Sequence, residues 1–266
     1  MISNMDLNEI STQLMYTTTP IFTRNVDSSV STGTGFIFSI EQSGNTSIPL
    51  LITNHHVIKD AQIGFVELHL LKDGVPSKDT IRITFDNSII NSNKLGDLDI
   101  VALPIAGPLN GLLEKGITPY YKSIDSSIIP SKKQIEELAA IEDITFIGYP
   151  NAIYDTTNKI PIIREGITAT PIWNDFMGKE QFLIDAGAFP GSSGSPVFIY
   201  NRGTYPTKDG IGLGSRILFV GILSGTMRRR DEQGASFLDL GVVINCRSFI
   251  RELDIFIKRM TGKSIL

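Results

Sequence analysis

Short runs of alternating apolar and polar residues, separated by turn residues, recur along most of the chain. The run from Phe65 to Leu70 alternates with a period of two and ends at the turn Lys72-Asp73-Gly74, and the run from Thr80 to Phe85 alternates in the same way. A period of two indicates a β-strand with one buried face. Many short strands at this spacing favour an all-β sandwich or barrel.

The predicted strands fall into two groups. The first covers residues 35–40, 49–53, 65–70, 80–85 and 99–103, and the second covers residues 144–148, 162–170, 181–184, 196–200, 217–223 and 237–244. Residues 104–130 between the groups are rich in Pro, Gly and Ser and are interpreted as a crossover. The turn-rich residues 201–216 are predicted to form an exposed loop.

The two ends of the chain differ from its strand-rich body. Residues 1–19 are polar and are predicted to form a short helix or an arm. Near the C-terminus, apolar residues recur at helical spacing before a glycine that can end a helix: Phe249, Leu253, Phe256, Met260 and Gly262. This pattern predicts a terminal helix that packs on the body. Another helix is predicted to open at Ser131, because Ser131 and Gln134 have the spacing of a capping box.

Composition and charge exclude several classes of function. The 266 residues are 41% apolar and 20% charged, as in globular proteins, and can bury a core in one or two domains. The net charge of -4 argues against a nucleic-acid partner, which usually requires a basic surface. No apolar run reaches the roughly 18 residues that a membrane span needs. The histidines and the lone cysteine lack a metal-ligand spacing, so no metal or other cofactor is expected.

The N-terminus and the cysteine content bear on the compartment. The residues after Met1 lack the basic and apolar regions of a secretory signal. Cys246 is the only cysteine, so no intrachain disulfide can form. Its position at the end of a predicted strand indicates a buried, inert thiol. A cytoplasmic location is the expectation.

The stretch from Asp185 to Phe198 is a glycine-rich turn that leads into an apolar strand. A hydroxyl flanked by glycines suits a nucleophile, because glycine accepts unusual dihedral angles and lets a substrate approach closely. Backbone N–H groups beside it can stabilise an oxyanion. An ordinary Gly-Ser bend is the alternative for this stretch taken alone.

A hydroxyl nucleophile needs a base, and the chain has three histidines. His69 lies in an alternating run and is interpreted as structural, whereas His55 and His56 directly follow an apolar strand. The base in turn needs a carboxylate that fixes its tautomer. Asp99 is the candidate because it stands at the mouth of an apolar strand, and Asp97 is a nearby competitor that is expected to be exposed.

Four blocks, taken in order, resemble the chymotrypsin-like serine peptidases, and most closely their Deg/HtrA-like branch. The blocks are Gly33-Thr34-Gly35-Phe36, Thr53-Asn54-His55-His56-Val57, Asp99-Ile100-Val101-Ala102-Leu103 and Asp185 to Val197, and Gly148-Tyr149-Pro150 matches a Gly-x-Pro turn of the family. The resemblance covers residues 20–255. It implies two six-stranded antiparallel Greek-key β-barrels with a C-terminal α-helix: an arm over 1–19, barrels over 20–118 and 119–247, and a helix over 248–266.

The resemblance also assigns roles to individual residues. Ser193 is the implied nucleophile, His56 the base and Asp99 the residue that orients His56. The backbone N–H groups of Gly191 and Ser193 are the implied oxyanion hole. His55 is interpreted as a surface or packing residue, and Ser195, where the family usually has glycine, as structural.

The implied substrate pocket has no charged residue. Gly187 is assigned to its floor, Ser224, Gly225 and Thr226 to one wall, and Gly241 to the other. Without an acid at the floor, a preference for Arg or Lys has no support. Glutamyl endopeptidases have a histidine where this chain has Leu223, which lowers a preference for glutamate without excluding it, because Thr226 can donate a hydrogen bond. A small or medium uncharged side chain before the cut is therefore predicted.

Two features of the resembling peptidases are missing. Ser192 stands where the digestive members carry an aspartate that pairs with a newly cut N-terminus, so activation by that ion pair is excluded. Deg-like relatives also carry a PDZ domain, for which the chain ends too early at Leu266. Activity is therefore expected to be constitutive or switched by an activating protein partner.

The run Arg228-Arg229-Arg230 is interpreted as a solvated turn, with a site for acidic partners as the alternative.

The sequence thus predicts a serine endopeptidase that acts on protein or peptide substrates, with no nucleic-acid or membrane partner. Two alternatives use the same residues. A protease fold can serve as a binding or scaffold module, or as a latent protease that a partner activates. An esterase or acyltransferase can use the same triad and oxyanion hole.

Overall fold

A computed structural model describes residues 6–42, 46–208, 210–231 and 234–265, and the side chains of residues 42 and 228–237 lie outside this description. The strands are β1 Thr18–Asn25, β2 Val30–Gln42, β3 Thr46–Thr53, β4 Ala61–Lys72, β5 Val75–Asp86, β6 Val101–Pro104, β7 Pro119–Tyr120, β8 Asp143–Gly148, β9 Ile162–Thr168, β10 Gln181–Asp185, β11 Pro196–Asn201, β12 Thr204–Thr207, β13 Gly210–Leu213, β14 Arg216–Asp231 and β15 Gly234–Asn245. The α-helices are α1 Ile10–Met15, α2 His55–Ile58, α3 Asn87–Ile90, α4 Ala106–Leu113, α5 Lys132–Glu136 and α6 Cys246–Thr261. Short 3-10 turns cover Asn91–Asn93, Ser126–Ile128, Pro150–Ala152 and Phe176–Gly178.

The predicted all-β class with a C-terminal helix is confirmed. The first sheet pairs its strands in the order β5-β4-β1-β2-β3-β6, and the short β7 adds to it beside β4. Strands β10-β15-β14-β11-β8-β9 form a closed six-stranded barrel. Neighbouring strands in both units run antiparallel. Since β7 belongs to the first sheet, that unit extends two residues past the predicted boundary at residue 118.

The buried apolar side chains form three clusters. One fills the first sheet and one fills the closed barrel. The third joins residues of β2, β3, β11 and β14 to helix α6, so it lies between the two units. Within it, the Phe249 ring lies 5.5 Å from Phe38 and 5.9 Å from Phe219, and Phe36 lies 5.7 Å from Phe219. The terminal helix therefore packs against side chains from both β units.

Helix α6 confirms the prediction made from its spacing, with one correction. Phe249, Leu253 and Phe256 are buried, whereas Met260 is 48% exposed and lies outside the packed stripe. The helix begins at Cys246, two residues before the predicted start, because the Asn245 side chain accepts a hydrogen bond from the Arg247 N–H and caps it. It ends at Thr261, short of the predicted bound at residue 266, because Gly262 takes a left-handed φ of 74° and its N–H donates to the Lys258 carbonyl.

Replacing Phe249 with alanine is expected to lower the free energy of unfolding by about 3–5 kcal/mol, because it opens a cavity between the two β units. Chemical denaturation followed by circular dichroism measures this. Met260→Ala on the same helix is the control, and a change within about 0.5 kcal/mol is expected from its exposure. Equal losses in the two variants would contradict the assigned core.

Four segments depart from the sequence prediction. The segment 104–130 contains helix α4, and residues 201–216 contain the hairpin β12–β13 rather than a loop. Strand β1 starts at Thr18, inside the predicted N-terminal arm. The backbone of Arg228-Arg229-Arg230 is not a turn but pairs with β15, and its side chains lie outside the described residues. No helix in the described ranges is long and apolar enough to cross a membrane.

Candidate active site

Strand pairing in the first sheet brings His56 and Asp99 together. Strands β3 and β6 are neighbours, with Thr53 opposite Val101, so the residues just after β3 meet those just before β6. The His56 Nδ1 atom lies 2.5 Å from Asp99 Oδ2, and the His56 backbone N–H donates to Asp99 Oδ1 at 2.8 Å. Asn54 Nδ2 donates to the Asp99 carbonyl at 2.8 Å. The carboxylate therefore fixes both the ring and the backbone of His56.

The environment of Asp99 favours its ionised form. Burial raises the pKa of the carboxyl, but hydrogen bonds from His56, the charge that His56 can carry, and a bond from the Ser224 hydroxyl at 3.2 Å hold the pKa below its ordinary value. An ionised carboxylate only accepts hydrogen bonds, so Nδ1 of His56 carries the proton. Nε2 is then left free to accept a proton, as a general base requires.

Ser193 lies at the same cavity as His56, on the loop before β11. Its Oγ donates to the Ser224 carbonyl at 3.3 Å, and no hydrogen bond joins Ser193 to His56 in the described part of the chain. Both side chains line a cavity of about 390 Å³ between the two β units. Nucleophile and base often adopt their final contact only with substrate bound. For Ser193 to donate to His56, its hydroxyl would have to turn away from the Ser224 carbonyl.

The peptide groups that precede Gly191 and Ser193 are each oriented by a hydrogen bond to their carbonyl oxygen. The Pro190 carbonyl accepts from the Asn151 N–H at 2.6 Å, and the Ser192 carbonyl accepts from the Ser195 N–H at 3.0 Å. These peptides are planar and trans, so the N–H of the following residue points away from the bonded carbonyl. The N–H groups of Gly191 and Ser193 donate to no acceptor among the described residues. They are thus available to a negatively charged oxygen.

Only glycine fits at position 191. Its φ is +86°, a conformation that side chains disfavour. A Cβ atom there would lie 2.6 Å from the Asn151 N and 2.8 Å from the Tyr149 carbonyl oxygen. The close approach is what lets Asn151 hold the Pro190 carbonyl.

Thr34 connects the first sheet to this loop. Its Oγ donates to the Gly191 carbonyl at 2.9 Å and accepts from the Tyr149 N–H at 2.9 Å. Its own N–H donates to the Ser193 carbonyl at 2.9 Å. Thr34 belongs to the Gly33-Thr34-Gly35-Phe36 block, but the sequence analysis assigned no role to it. The two flanking glycines, which pack closely against neighbouring side chains, are the sequence feature that could have drawn attention to Thr34.

Replacing Thr34 with valine is expected to lower kcat by about 10- to 100-fold, because the serine loop loses the bond at Gly191 and shifts relative to His56. Burying an unpaired Tyr149 N–H should also cost about 1–3 kcal/mol of stability. Thr19→Val is the matched control. The buried Thr19 hydroxyl likewise donates to a backbone carbonyl and accepts from a backbone N–H, but both belong to Glu67, which is not part of the serine loop. Equal kcat values in the two variants would contradict a positioning role for Thr34.

Comparison with known sequences assigns the family. The profile of the trypsin-like peptidase domain family matches residues 33–204, well over half of the chain. The chain belongs to this family. No curated protein sequence matches the peptidase.

Solved structures share the fold of the peptidase. A variant of the HtrA-type protease AlgW with a tripeptide aligns with a TM-score of 0.52 and 15% identity, over 97% of this chain and 65% of that one. Deg5 aligns with a TM-score of 0.50 and 14% identity, over 90% and 88%. HL collagenase aligns with a TM-score of 0.51 and 12% identity, over 94% and 95%. This chain thus spans slightly less than two thirds of the AlgW chain.

The residues assigned to the substrate pocket are only partly brought together. Ser224, Gly225 and Thr226 line the cavity, but Gly187 and Gly241 do not. A Cβ on Gly241 would collide with Ile184 and Leu223, so this glycine packs against side chains of neighbouring strands. Gly187 is separated from the cavity by the following residues, Ala188 and Phe189, which line it.

The remaining sequence candidates have structural surroundings. His69 contacts the Ser77 carbonyl through Nδ1 at 2.7 Å and the Lys159 carbonyl through Nε2 at 3.1 Å. Cys246 is buried, and burial raises its pKa to about 12, which suits an inert thiol. Asp97 is exposed. The described residues contain no group of three His, Cys, Asp or Glu side chains that could hold a metal ion.

Proposed function

We propose that this serine protease is an endopeptidase that hydrolyses protein substrates through an acyl-enzyme, with Ser193 as nucleophile, His56 as base and Asp99 as the residue that orients His56. The observation that carries the proposal is one cavity bordered by Ser193, by a histidine whose Nδ1 is fixed on a carboxylate, and by two unpaired backbone N–H groups. This set matches the requirements of acyl transfer.

The reaction begins when Ser193 Oγ gives its proton to His56 Nε2 and attacks the substrate carbonyl carbon. The carbonyl oxygen becomes negatively charged and accepts hydrogen bonds from the Gly191 and Ser193 N–H groups. His56 then passes the proton to the leaving amine, which departs as the C–N bond breaks. Water attacks the remaining ester with His56 again as base, and the acid product leaves Ser193 free.

The fixed carbonyls of Pro190 and Ser192 support activity without a partner. They orient both oxyanion donors through contacts within the chain itself. Partner-activated latency is the second candidate, because the Ser193 hydroxyl bonds to Ser224 instead of His56. The two candidates differ in whether the isolated chain reacts with a serine-directed probe.

Titration of the purified chain with a fluorophosphonate probe tests the proposal. We expect labelling close to one probe per chain, together with cleavage of an unfolded protein substrate and new termini detectable by mass spectrometry. Hydrolysis of p-nitrophenyl acetate without any peptide cleavage would instead support an esterase. A folded chain that neither labels nor cleaves would overturn constitutive activity and direct the search to an activating partner.

A further inference from the structure

Arg164 lies where a pocket-floor side chain would stand. It is on β9, on the more buried face of that strand. A Cβ atom built on Gly187 would lie 2.8 Å from Nη2 of Arg164 and 3.7 Å from its Cζ. Gly187 also has a left-handed φ of +54°, which disfavours any side chain there. The guanidinium therefore occupies the space next to the backbone that resemblance assigns to the floor.

The Arg164 guanidinium is held behind the cavity wall by an aromatic ring. Its Cζ lies 4.9 Å from the centroid of the Phe189 ring, within the range of a cation–π contact. Phe189 and Ala188 both line the cavity that holds Ser193 and His56. Phe189 is 39% exposed, so part of its ring faces solvent. The positive charge is thus one side chain away from the cavity.

The charge of Arg164 is not neutralised by the described residues. Arg164 forms no ion pair with any carboxylate whose side chain the structure describes. Apart from His56, the residues that line the cavity are uncharged. A half-buried cation without an ion pair among the described side chains creates a positive potential, and clefts of one sign attract ligands of the other.

We infer that Arg164 gives the peptidase a preference for an acidic side chain, glutamate above all, immediately before the cut. This inference rests on the proposed function. A carboxylate entering the cavity can form a two-pronged hydrogen bond with the guanidinium, which the matching amide cannot form. Glutamate reaches further than aspartate toward a charge behind the wall. The inference differs from the uncharged preference expected from sequence, which took account of Gly187 but not of Arg164.

Matched peptides test the preference. Substrates that differ only in Glu, Gln, Ala or Lys before the cut should give a kcat/KM for Glu about 10- to 100-fold above that for Gln, the range expected for a charged hydrogen bond. Arg164→Gln should bring the Glu-to-Gln ratio of kcat/KM close to one. Arg164→Lys keeps the charge and should retain part of the preference.

Glu165→Gln is the matched control, because Glu165 is the exposed neighbour on the opposite face of β9. It should leave the Glu-to-Gln ratio unchanged. Equal rates for Glu and Gln in the wild type, or an unchanged ratio in Arg164→Gln, would overturn the inference and leave the proposed endopeptidase standing.

A binding measurement separates failure of the inference from failure of the proposed function. Product-like peptides that end in Glu or Gln are titrated into Ser193→Ala by calorimetry, which needs no turnover. Tighter binding of the Glu peptide, lost when Arg164→Gln is added, supports the inference even if no peptide is cleaved. Equal affinity for the two peptides overturns it.

Discussion

Replacing Ser193 with alanine is expected to lower kcat by about 10⁶-fold, because it removes the hydroxyl that is proposed to attack the carbonyl. Fluorophosphonate labelling should vanish completely. The fold should survive, since the backbone bonds that hold the loop, from Thr34 to the Ser193 carbonyl and from Gly194 to the Leu223 carbonyl, do not involve the hydroxyl. Peptide turnover and probe labelling, with circular dichroism as the check on folding, measure these outcomes.

Ser195→Ala is the matched control on the same loop. The Ser195 hydroxyl is fully buried and has no hydrogen-bond partner among the described residues. Removing an unpaired buried hydroxyl is nearly neutral or stabilising, so this variant should label and turn over like the wild type. If Ser195→Ala abolished labelling while Ser193→Ala kept it, the assignment of the nucleophile would be wrong.

The fold was largely predictable because strand alternation and helix spacing are local properties. The alternation from Phe65 to Leu70 indicates the buried face of β4, and the spacing from Phe249 to Phe256 indicates the buried face of α6. Helix α4 was missed because its Gly107, Pro108 and Gly111 have the composition of a loop. Packing of Leu109 in the core of the first sheet overrides that weak local preference.

The residues of the candidate site could be predicted only where a single short sequence motif indicates the role of a residue. His56, Asp99 and Ser193 each stand in such a motif, and the structure places the first two in contact and the third at the same cavity. The contacts of Thr34 with Gly191 and Tyr149 span more than 100 positions of sequence, so no local pattern reveals them. Arg164 was missed because it lies on β9, whereas Gly187 lies in the loop after β10, and no local pattern shows that the two meet.

The backbone of the proposed oxyanion hole shows why such long-range contacts matter. Glycine at 191 is necessary for the unusual dihedral angle, but it does not by itself decide which way the peptide faces. The direction of this peptide is set by the Asn151 N–H, which donates to the Pro190 carbonyl. Asn151 lies shortly after β8 and is distant in sequence from the serine loop. The direction of the Gly191 N–H therefore depends on a contact with the segment after β8 and not on the serine motif alone.

Replacing Asp99 with asparagine is expected to lower kcat/KM by about 10⁴-fold while leaving substrate affinity nearly unchanged. The carboxylate accepts from His56 Nδ1–H, from the His56 backbone N–H and from the Ser224 hydroxyl. An asparagine has only one accepting oxygen, and its NH₂ group would face Nδ1 and favour the tautomer protonated on Nε2. That tautomer cannot take the proton of Ser193. Steady-state kinetics and the rate of fluorophosphonate labelling should fall together.

Asp97→Asn is the control, because Asp97 is the exposed competitor two residues away, and its kinetics should match the wild type.

The pH dependence of stability gives an independent check on Asp99. Because the folded pKa of Asp99 is lowered, its ionised form stabilises the protein above the unfolded pKa of about 4, and this contribution is lost as the pH falls through the folded pKa. The stability advantage of wild type over Asp99→Asn should therefore be present at neutral pH and shrink in acid. An advantage that grew on acidification would show that Asp99 is not held ionised by His56.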